Sequence, residues 1–423
     1  MKIAILHWGF PPVIGGVETH LSLLGPELVK RGHKVHLLTG SIGNHKVDHK
    51  YKGVVIKRSP LFDLNWLFNR GLEDLENEIQ NLINMFLDQL RPDVIHAHNM
   101  HYFSKIHTKA LDNYARKNRI PLILTAHNVW DSGTFLDLTL DTGWKHIIAV
   151  SDYIKSELMG IKVPGHKITV VHHGIDVDRF QKASTKEIFA KYPTLKKRKI
   201  IFHPARMGLA KGCDVSLKAL RIIKREIPEV LLILTGTKNT IDWGTTQQKD
   251  IAYMLHLAKK LNLKNNVFIQ MIPLDVMPSF YHIADVCVYP SSSQEPFGIT
   301  MLESLASGVP MVVTESGGMV EVIKDGINGF VVKLKDYKQL AEKCISVLKD
   351  KRLRQTLGEN GRMLVKERYT KQIMTENTIK VYENALTGKK GETVPCARIR
   401  KKHCRRQKSR RGAVQIGTTG GGN

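Results

Sequence analysis

No apolar run in the sequence approaches the roughly 20 residues that a membrane-spanning helix requires, which excludes an integral helical membrane protein. Cysteine is scarce, with five residues at positions 213, 287, 344, 396 and 404 and no CxxC pair. An odd count without a regular framework excludes a disulfide scaffold and argues against cysteine-ligated metal; it fits incidental thiols in a reducing compartment. Acidic residues are also in deficit, 39 against 64 Lys and Arg, for a formal charge of +25. Part of that excess is local: between Lys389 and Arg411 eleven basic residues accompany one acid, Glu392, which leaves +15 for the rest. Such a surface favours acidic partners, whether anionic lipid, nucleic acid or phosphorylated substrates. The basic tail has no interleaved aromatic residue, so a base-stacking nucleic-acid surface is disfavoured.

What is present describes a globular enzyme-sized chain. A hydrophobic content of 42% with 24% charge is that of a folded soluble protein, and 423 residues exceed one ordinary core, so two domains are expected. Residues 1–7 resemble the start of a signal peptide, but Gly9-Phe10-Pro11-Pro12 interrupts them, and a first β-strand accounts for them better. The expected location is therefore cytoplasmic, with peripheral attachment at the inner membrane face left open by the charge. Trp66, Leu67 and Phe68 read either as a membrane-facing patch or as an ordinary core contact.

Hydrophobic periodicity alternates strands and helices from the first residue. Strands are expected at 2–7, 34–39, 54–59, 94–97, 122–125 and 146–150, with helices at 17–31, 72–90, 103–117 and 152–159. The pattern restarts at 199, with strands at 199–203, 230–235, 267–270, 286–289, 311–314 and 330–332 and helices at 213–226, 250–261, 277–281 and 299–307. This predicts an α/β chain of two Rossmann-like, doubly wound domains, 1–185 and 190–370, facing across a cleft lined by the carboxyl ends of parallel strands. Helices at 336–350 and 370–386 close the folded part. From 388 the composition turns basic and then Gly-rich, the signature of a disordered tail.

Three loops carry candidate chemistry. Gly15-Gly16 precedes the first helix, where paired glycines let the backbone approach a ligand and aim free N–H groups at an anion; a tight turn is the plainer alternative. Arg206 and Lys211-Gly212 follow strand 199–203. An Arg fork and a Lys point charge there can clamp a diphosphate, unless the loop is merely solvated. The third loop runs Gln294-Glu295-Pro296-Phe297-Gly298-Ile299 into the helix that carries Glu303. Amides around Phe297, Gly298 and Ile299 suit an anion or hydroxyl. Glu295 and Glu303 can accept hydrogen bonds from two sets of hydroxyls, as on a sugar and a ribose, or can be solvent-facing charges. The strand ending at 97 sets His98 or Asn99 in the cleft beside an acceptor. No carboxylate converges on His96, His98 and His101 in the sequence, and Asp176-Val177-Asp178 sits past the first domain, so no metal site is expected.

Taken together and in order, these segments resemble the family-4 retaining glycosyltransferases. Glu295-x7-Glu303 with Pro296-Phe297-Gly298 inside it is similar to that family's E-x7-E signature. The Arg206–Lys211 loop and Gly15-Gly16 stand where the family has its phosphate contacts. Thr125-Ala126-His127-Asn128 resembles its Thr-x-His-Asp segment, and Val171-His172-His173-Gly174-Ile175-Asp176 its Pro-Asn-Gly-Ile-Asp segment, with His172-His173 in place of Pro-Asn. The resemblance covers residues 1–386. It implies a GT-B fold with helix 370–387 returning to the first domain, and transfer from a nucleotide-diphosphate sugar to a hydroxyl acceptor with retention, lipid-linked acceptors included. Glu303 would hold the ribose, Glu295 the sugar hydroxyls, and Arg206 and Lys211 the leaving diphosphate. Gly15, Gly16 and the amides of Phe297, Gly298 and Ile299 would add dipolar support. His127 would lie by the donor sugar, with base contacts from residues 271–274. The nucleotide sugar is a substrate, and neither cofactor nor metal is implied. A nucleotide-sugar epimerase or sugar phosphorylase of the same fold, and a non-catalytic anion- or membrane-binding protein acting through its tail, are the competing readings.

Overall fold

The computed structural model describes residues 1–41, 49–129, 133–236 and 246–388, so the basic and Gly-rich tail lies outside the described residues beyond Gly388. The first half runs β1 (Lys2–Leu6), α1 (Gly16–Lys30), β2 (Lys34–Gly40), β3 (His49–Tyr51), β4 (Val54–Ser59), α2 (Leu64–Arg70) and α3 (Glu76–Leu90). It continues through β5 (Val94–His98), α4 (Lys105–Asn118), β6 (Leu122–Ala126), α5 (Gly133–Leu140), β7 (His146–Ala149), α6 (Asp152–Gly160) and β8 (Ile168–Val170). Short helices α7 (Val177–Gln181) and α8 (Lys186–Lys191) lead to β9 (Lys199–His203), α9 (Cys213–Glu226), β10 (Val230–Gly236), α10 (Thr246–Lys260) and β11 (Val267–Met271). Then follow α11 (Met277–Ile283), β12 (Val286–Tyr289), α12 (Ile299–Ala306), β13 (Met311–Thr314), α13 (Met319–Val322) and β14 (Gly329–Val332). Helices α14 (Tyr337–Lys349), α15 (Lys351–Arg368) and α16 (Lys371–Thr387) end the described chain.

The strands form two sheets, ordered β3-β4-β2-β1-β5-β6-β7-β8 and β11-β10-β9-β12-β13-β14. Every pairing is parallel except β3 with β4. Runs such as Leu122-Ile123-Leu124-Thr125-Ala126 are buried along their whole length, as expected of strands covered by helices on both faces. In each sheet the chain winds outward one way and then reverses, so that β1 and β5 flank one topological switch point and β9 and β12 the other. Loops leaving the carboxyl ends of strands at a switch point diverge and open a crevice, the usual ligand position in such sheets.

Helix α16 packs on α1 and buries Met374, Val381 and Tyr382 in the core formed by Ile3, Ile5 and Leu24. The Tyr382 hydroxyl and His96 Nδ1 share a 2.6 Å hydrogen bond inside that core. The two chain crossings between halves touch each other: Ile175 N–H donates to Tyr369 O at 2.9 Å and Lys371 N–H donates to Ile175 O at 3.0 Å. Lys371 Nζ also pairs with Asp176 at 2.7 Å, so the first carboxylate of Asp176-Val177-Asp178 is spent on this crossing.

The structure departs from the sequence reading in several places. The helix expected at 72–90 begins only at Glu76, because Gly71 and Asp74 take positive φ (85° and 66°) and separate it from α2. The strand His49–Tyr51 adds an antiparallel edge. Helix α5 was not expected at all, and α15 supplies a third closing helix where two were expected. The Trp66-Leu67-Phe68 segment divides, with Leu67 buried and Phe68 83% exposed.

Candidate active site

At the second switch point, the loop after β9 (residues 204–212) and the loop after β12 (residues 290–298) are laced together. The Ala210 carbonyl accepts from Ser292 N–H at 3.0 Å and from the Ser291 hydroxyl at 3.2 Å. Gly212 makes the approach possible: it has φ +76°, and a Cβ there would sit 1.7 Å from the Pro290 carbonyl. This lacing brings Lys211 to Glu295. Lys211 Nζ donates to Glu295 Oε2 at 2.8 Å, and the Tyr289 hydroxyl donates to the same oxygen at 2.5 Å. Burial opposes the Lys211 charge, but Tyr289 and Glu295 outweigh it and hold the ammonium above its ordinary range. Burial, then Glu295, raises Tyr289. Arg206 stands apart: it is exposed and has no hydrogen-bond or ion-pair partner among the described residues.

Glu303 lies just over one turn along α12, beyond Gly298, which caps that helix with φ +84°. The Tyr281 hydroxyl donates to Glu303 Oε2 at 2.7 Å. Burial raises the Glu303 carboxyl to about 7, against the pull of the Tyr281 bond and of Arg179. Glu303 lines a small open cavity together with Pro11, Val13, Thr19, Arg179 and Leu274. The cavity therefore joins the first βα loop and α1 to α12 and to the loop after β11. Gly16 faces the same gap, with Ile299 Cδ1 3.9 Å from where its Cβ would be. Gly15 ends the loop in extended conformation and caps α1 without a side-chain bond.

The first switch point is furnished with histidines. His98 ends β5 and His127 follows β6; both are buried, and their Nδ1 and Nε2 atoms lie 3.0 Å apart. His20, one turn into α1, meets His173 at 2.9 Å. Burial first, and neighbouring imidazoles second, hold His98, His127 and His173 well below the usual histidine range, and His20 at about 3. Asn99, expected beside an acceptor, is buried in a left-handed conformation, and its Oδ1 accepts from His127 N–H at 2.8 Å. It fixes the His127 backbone, and neither it nor His98 presents an open surface.

His172-His173, the departure from the resemblance, spans the two halves. His172 Nε2 lies 3.2 Å from Glu321 Oε2, and the Glu321 carboxylate also accepts from Asp152 and Tyr153 N–H at 2.9 and 2.7 Å. His173 sets its ring against Phe297 at 5.2 Å, and the Ser151 hydroxyl donates to Pro296 O at 2.7 Å. The loop inside Glu295-x7-Glu303 is thus fastened to the first half. Sequence reasoning missed Tyr281, Tyr289, His20 and Glu321. Only His20 carried a signal, one helical turn beyond the Gly15-Gly16 pair.

Comparisons with known proteins identify the family and the fold. The sequence model described as Glycosyltransferase Family 4 matches residues 14–179, and the one described as Glycosyl transferases group 1 matches residues 184–364. The chain belongs to the family-4 glycosyltransferases. This glycosyltransferase is 27% identical to an uncharacterized glycosyltransferase of Methanocaldococcus jannaschii, over 91% of its own length and 99% of that relative's. Among solved structures it resembles HepE of Anabaena in complex with UDP-glucose, with a TM-score of 0.73 and 19% identity over 91% and 100% of the two chains. It also resembles sucrose-phosphate synthase of Thermosynechococcus elongatus, with a TM-score of 0.76 and 18% identity over 92% and 99%. At those identities the likeness shows the fold, which is GT-B.

Proposed function

We propose that this glycosyltransferase moves a sugar from a UDP-, GDP- or ADP-sugar to a hydroxyl acceptor with retention of configuration, in the synthesis of a glycan, glycolipid or other glycoconjugate. The observation that carries the reading is the pairing of Lys211 with Glu295 at the second switch point, in the loop that leads into α12, the helix that sets Glu303 in the cleft. Glu303 holds the ribose hydroxyls, Glu295 the sugar hydroxyls, and Lys211 with Arg206 the diphosphate. Gly15, Gly16 and the amides of Phe297, Gly298 and Ile299 add dipolar support, and His127 lies by the donor sugar. The glycosidic C–O bond to the diphosphate breaks while the acceptor oxygen bonds the anomeric carbon on the same face. The acceptor proton passes to a departing phosphate oxygen. Charge grows on the leaving phosphate, where fixed cations act most strongly. Transfer in this reading needs no metal. That HepE was solved with UDP-glucose supports UDP-sugars as the first donors to try. The overall charge of +25 favours a lipid-linked acceptor at an anionic membrane face.

A panel of UDP-, GDP- and ADP-sugars tests this by thermal shift, followed by NMR of the product linkage in EDTA. One donor class should raise the unfolding midpoint, because it binds only the native state. The product should keep the donor's anomeric configuration. An inverted product, or donor converted to an epimer or sugar phosphate without acceptor, would overturn the assignment. Activity lost on deleting residues 389–423 would point instead to binding through the tail.

A further inference from the structure

We propose that His20, His98 and His127 form a binding site for a divalent transition cation of the zinc class. The inference goes beyond sugar transfer as proposed above, in which no metal takes part. One ring nitrogen from each of the three lies within 4.8 Å of the others. Their rings form a near-equilateral triangle, with centroids 5.4, 5.1 and 5.3 Å apart for the pairs 20–98, 20–127 and 98–127. Three imidazoles around a tetrahedral ion with bonds of about 2.0–2.1 Å place their ligand nitrogens about 3.4 Å apart. His98 Nδ1 and His127 Nε2, at 3.0 Å, stand close to that spacing, and the His20 nitrogen lies within 4.8 Å of both.

The second observation is an orphaned atom. His20 Nε2 is fully buried and has no hydrogen-bond partner among the described residues, while His98 Nδ1 and His127 Nε2 beside it have only each other. A buried polar atom without a partner costs free energy, and each such atom in a native fold calls for an explanation. A cation between the three rings supplies one for His20 Nε2. Imidazole nitrogens select zinc, cobalt, nickel or copper over magnesium or calcium. The rings are kept neutral by burial, so their lone pairs are available. His173 stands where an outer partner is wanted: its Nδ1 meets His20 Nδ1 at 2.9 Å and orients that ring.

The test uses the full chain, stripped with EDTA, freed of chelator and titrated with Co²⁺ and then Zn²⁺. The expected result is one Co²⁺ per chain with the visible bands of tetrahedral nitrogen ligation and no thiolate charge-transfer band. The unfolding midpoint should rise by roughly 5 °C at a hundredfold excess over Kd. His20→Gln and His98→Gln should each abolish the bands, while His256→Gln, at an exposed position, should keep them. A folded wild-type chain that shows no tetrahedral Co²⁺ spectrum would overturn the proposal even if the variants fail to fold. A spectrum carrying thiolate bands would overturn it too.

Discussion

At the second switch point the side chains that meet are charged, Lys211 on Glu295, while Arg206 stands exposed in the same loop as Lys211. At the first, on a sheet wound the same way, neutral imidazoles meet one another: His98 with His127, and His20 with His173. Topology made two equivalent crevices, and sequence furnished them differently. A carboxylate lets a lysine keep its charge in a half-buried place, ready for a diphosphate. Four imidazoles packed together can do the opposite only by staying uncharged, since each proton would face the others in a medium without water. One crevice is built from charged side chains and the other from side chains kept neutral.

That contrast can be broken most directly by removing the cations. Arg206→Ala with Lys211→Ala should lower kcat/KM by about a thousandfold or more, from roughly 10²–10³ for each lost stabilising group. Full activity in a folded double variant would end the assignment of charge to this side. Acid should break the other crevice. The depressed histidines take up protons in the unfolded chain near pH 6.5 but not in the native one. Stability is therefore full above pH 6.5 and falls as pH drops towards 3, by roughly 1.4 kcal/mol per pH unit for each such group. Denaturant midpoints measured between pH 7 and 5 should fall steeply, and His98→Gln should flatten the slope. A level profile would mean that the rings charge in place. The smallest effect sharpens the comparison at its margin. Glu303 is held near 7, so its carboxylate fraction, and with it nucleotide affinity, should rise about tenfold from pH 6 to pH 8. Calorimetry should find that rise in the wild type and not in Glu303→Gln.

Much of this was legible in the sequence, for physical reasons. The strands Lys199–His203 and Val286–Tyr289 and the helix Cys213–Glu226 fall at the expected residues, because a buried parallel strand is a short apolar run and α9 carries one clean apolar stripe. Helix α15 was not legible. Its sequence is rich in charge and holds Gly358 and Gly361, which read as breakers. In the fold they are where α15 presses on α12 and its following turn, with a Cβ at Gly358 falling 2.1 Å from the Gly308 carbonyl. Of the site, Lys211, Glu295 and Glu303 were visible because their loops follow strand ends. Tyr281 and Tyr289 were not, since each reads as core until its hydroxyl finds a carboxylate. His98 and Asn99 were placed on the right loop but on its inner side: a strand end shows that a residue reaches the cleft edge, and does not show whether its neighbours cover it.

The bridge between Ile175 and Thr370 has a mechanical meaning. The peptide passes between the halves twice, and the two passes are bonded side by side like the leaves of one hinge. A single tether permits swivel and twist about any direction; a doubled one leaves a single axis of rocking. It also fixes an order of assembly. The first sheet borrows Met374, Val381 and Tyr382 for its core, so a ribosome must finish nearly the whole described chain before its opening strands can settle.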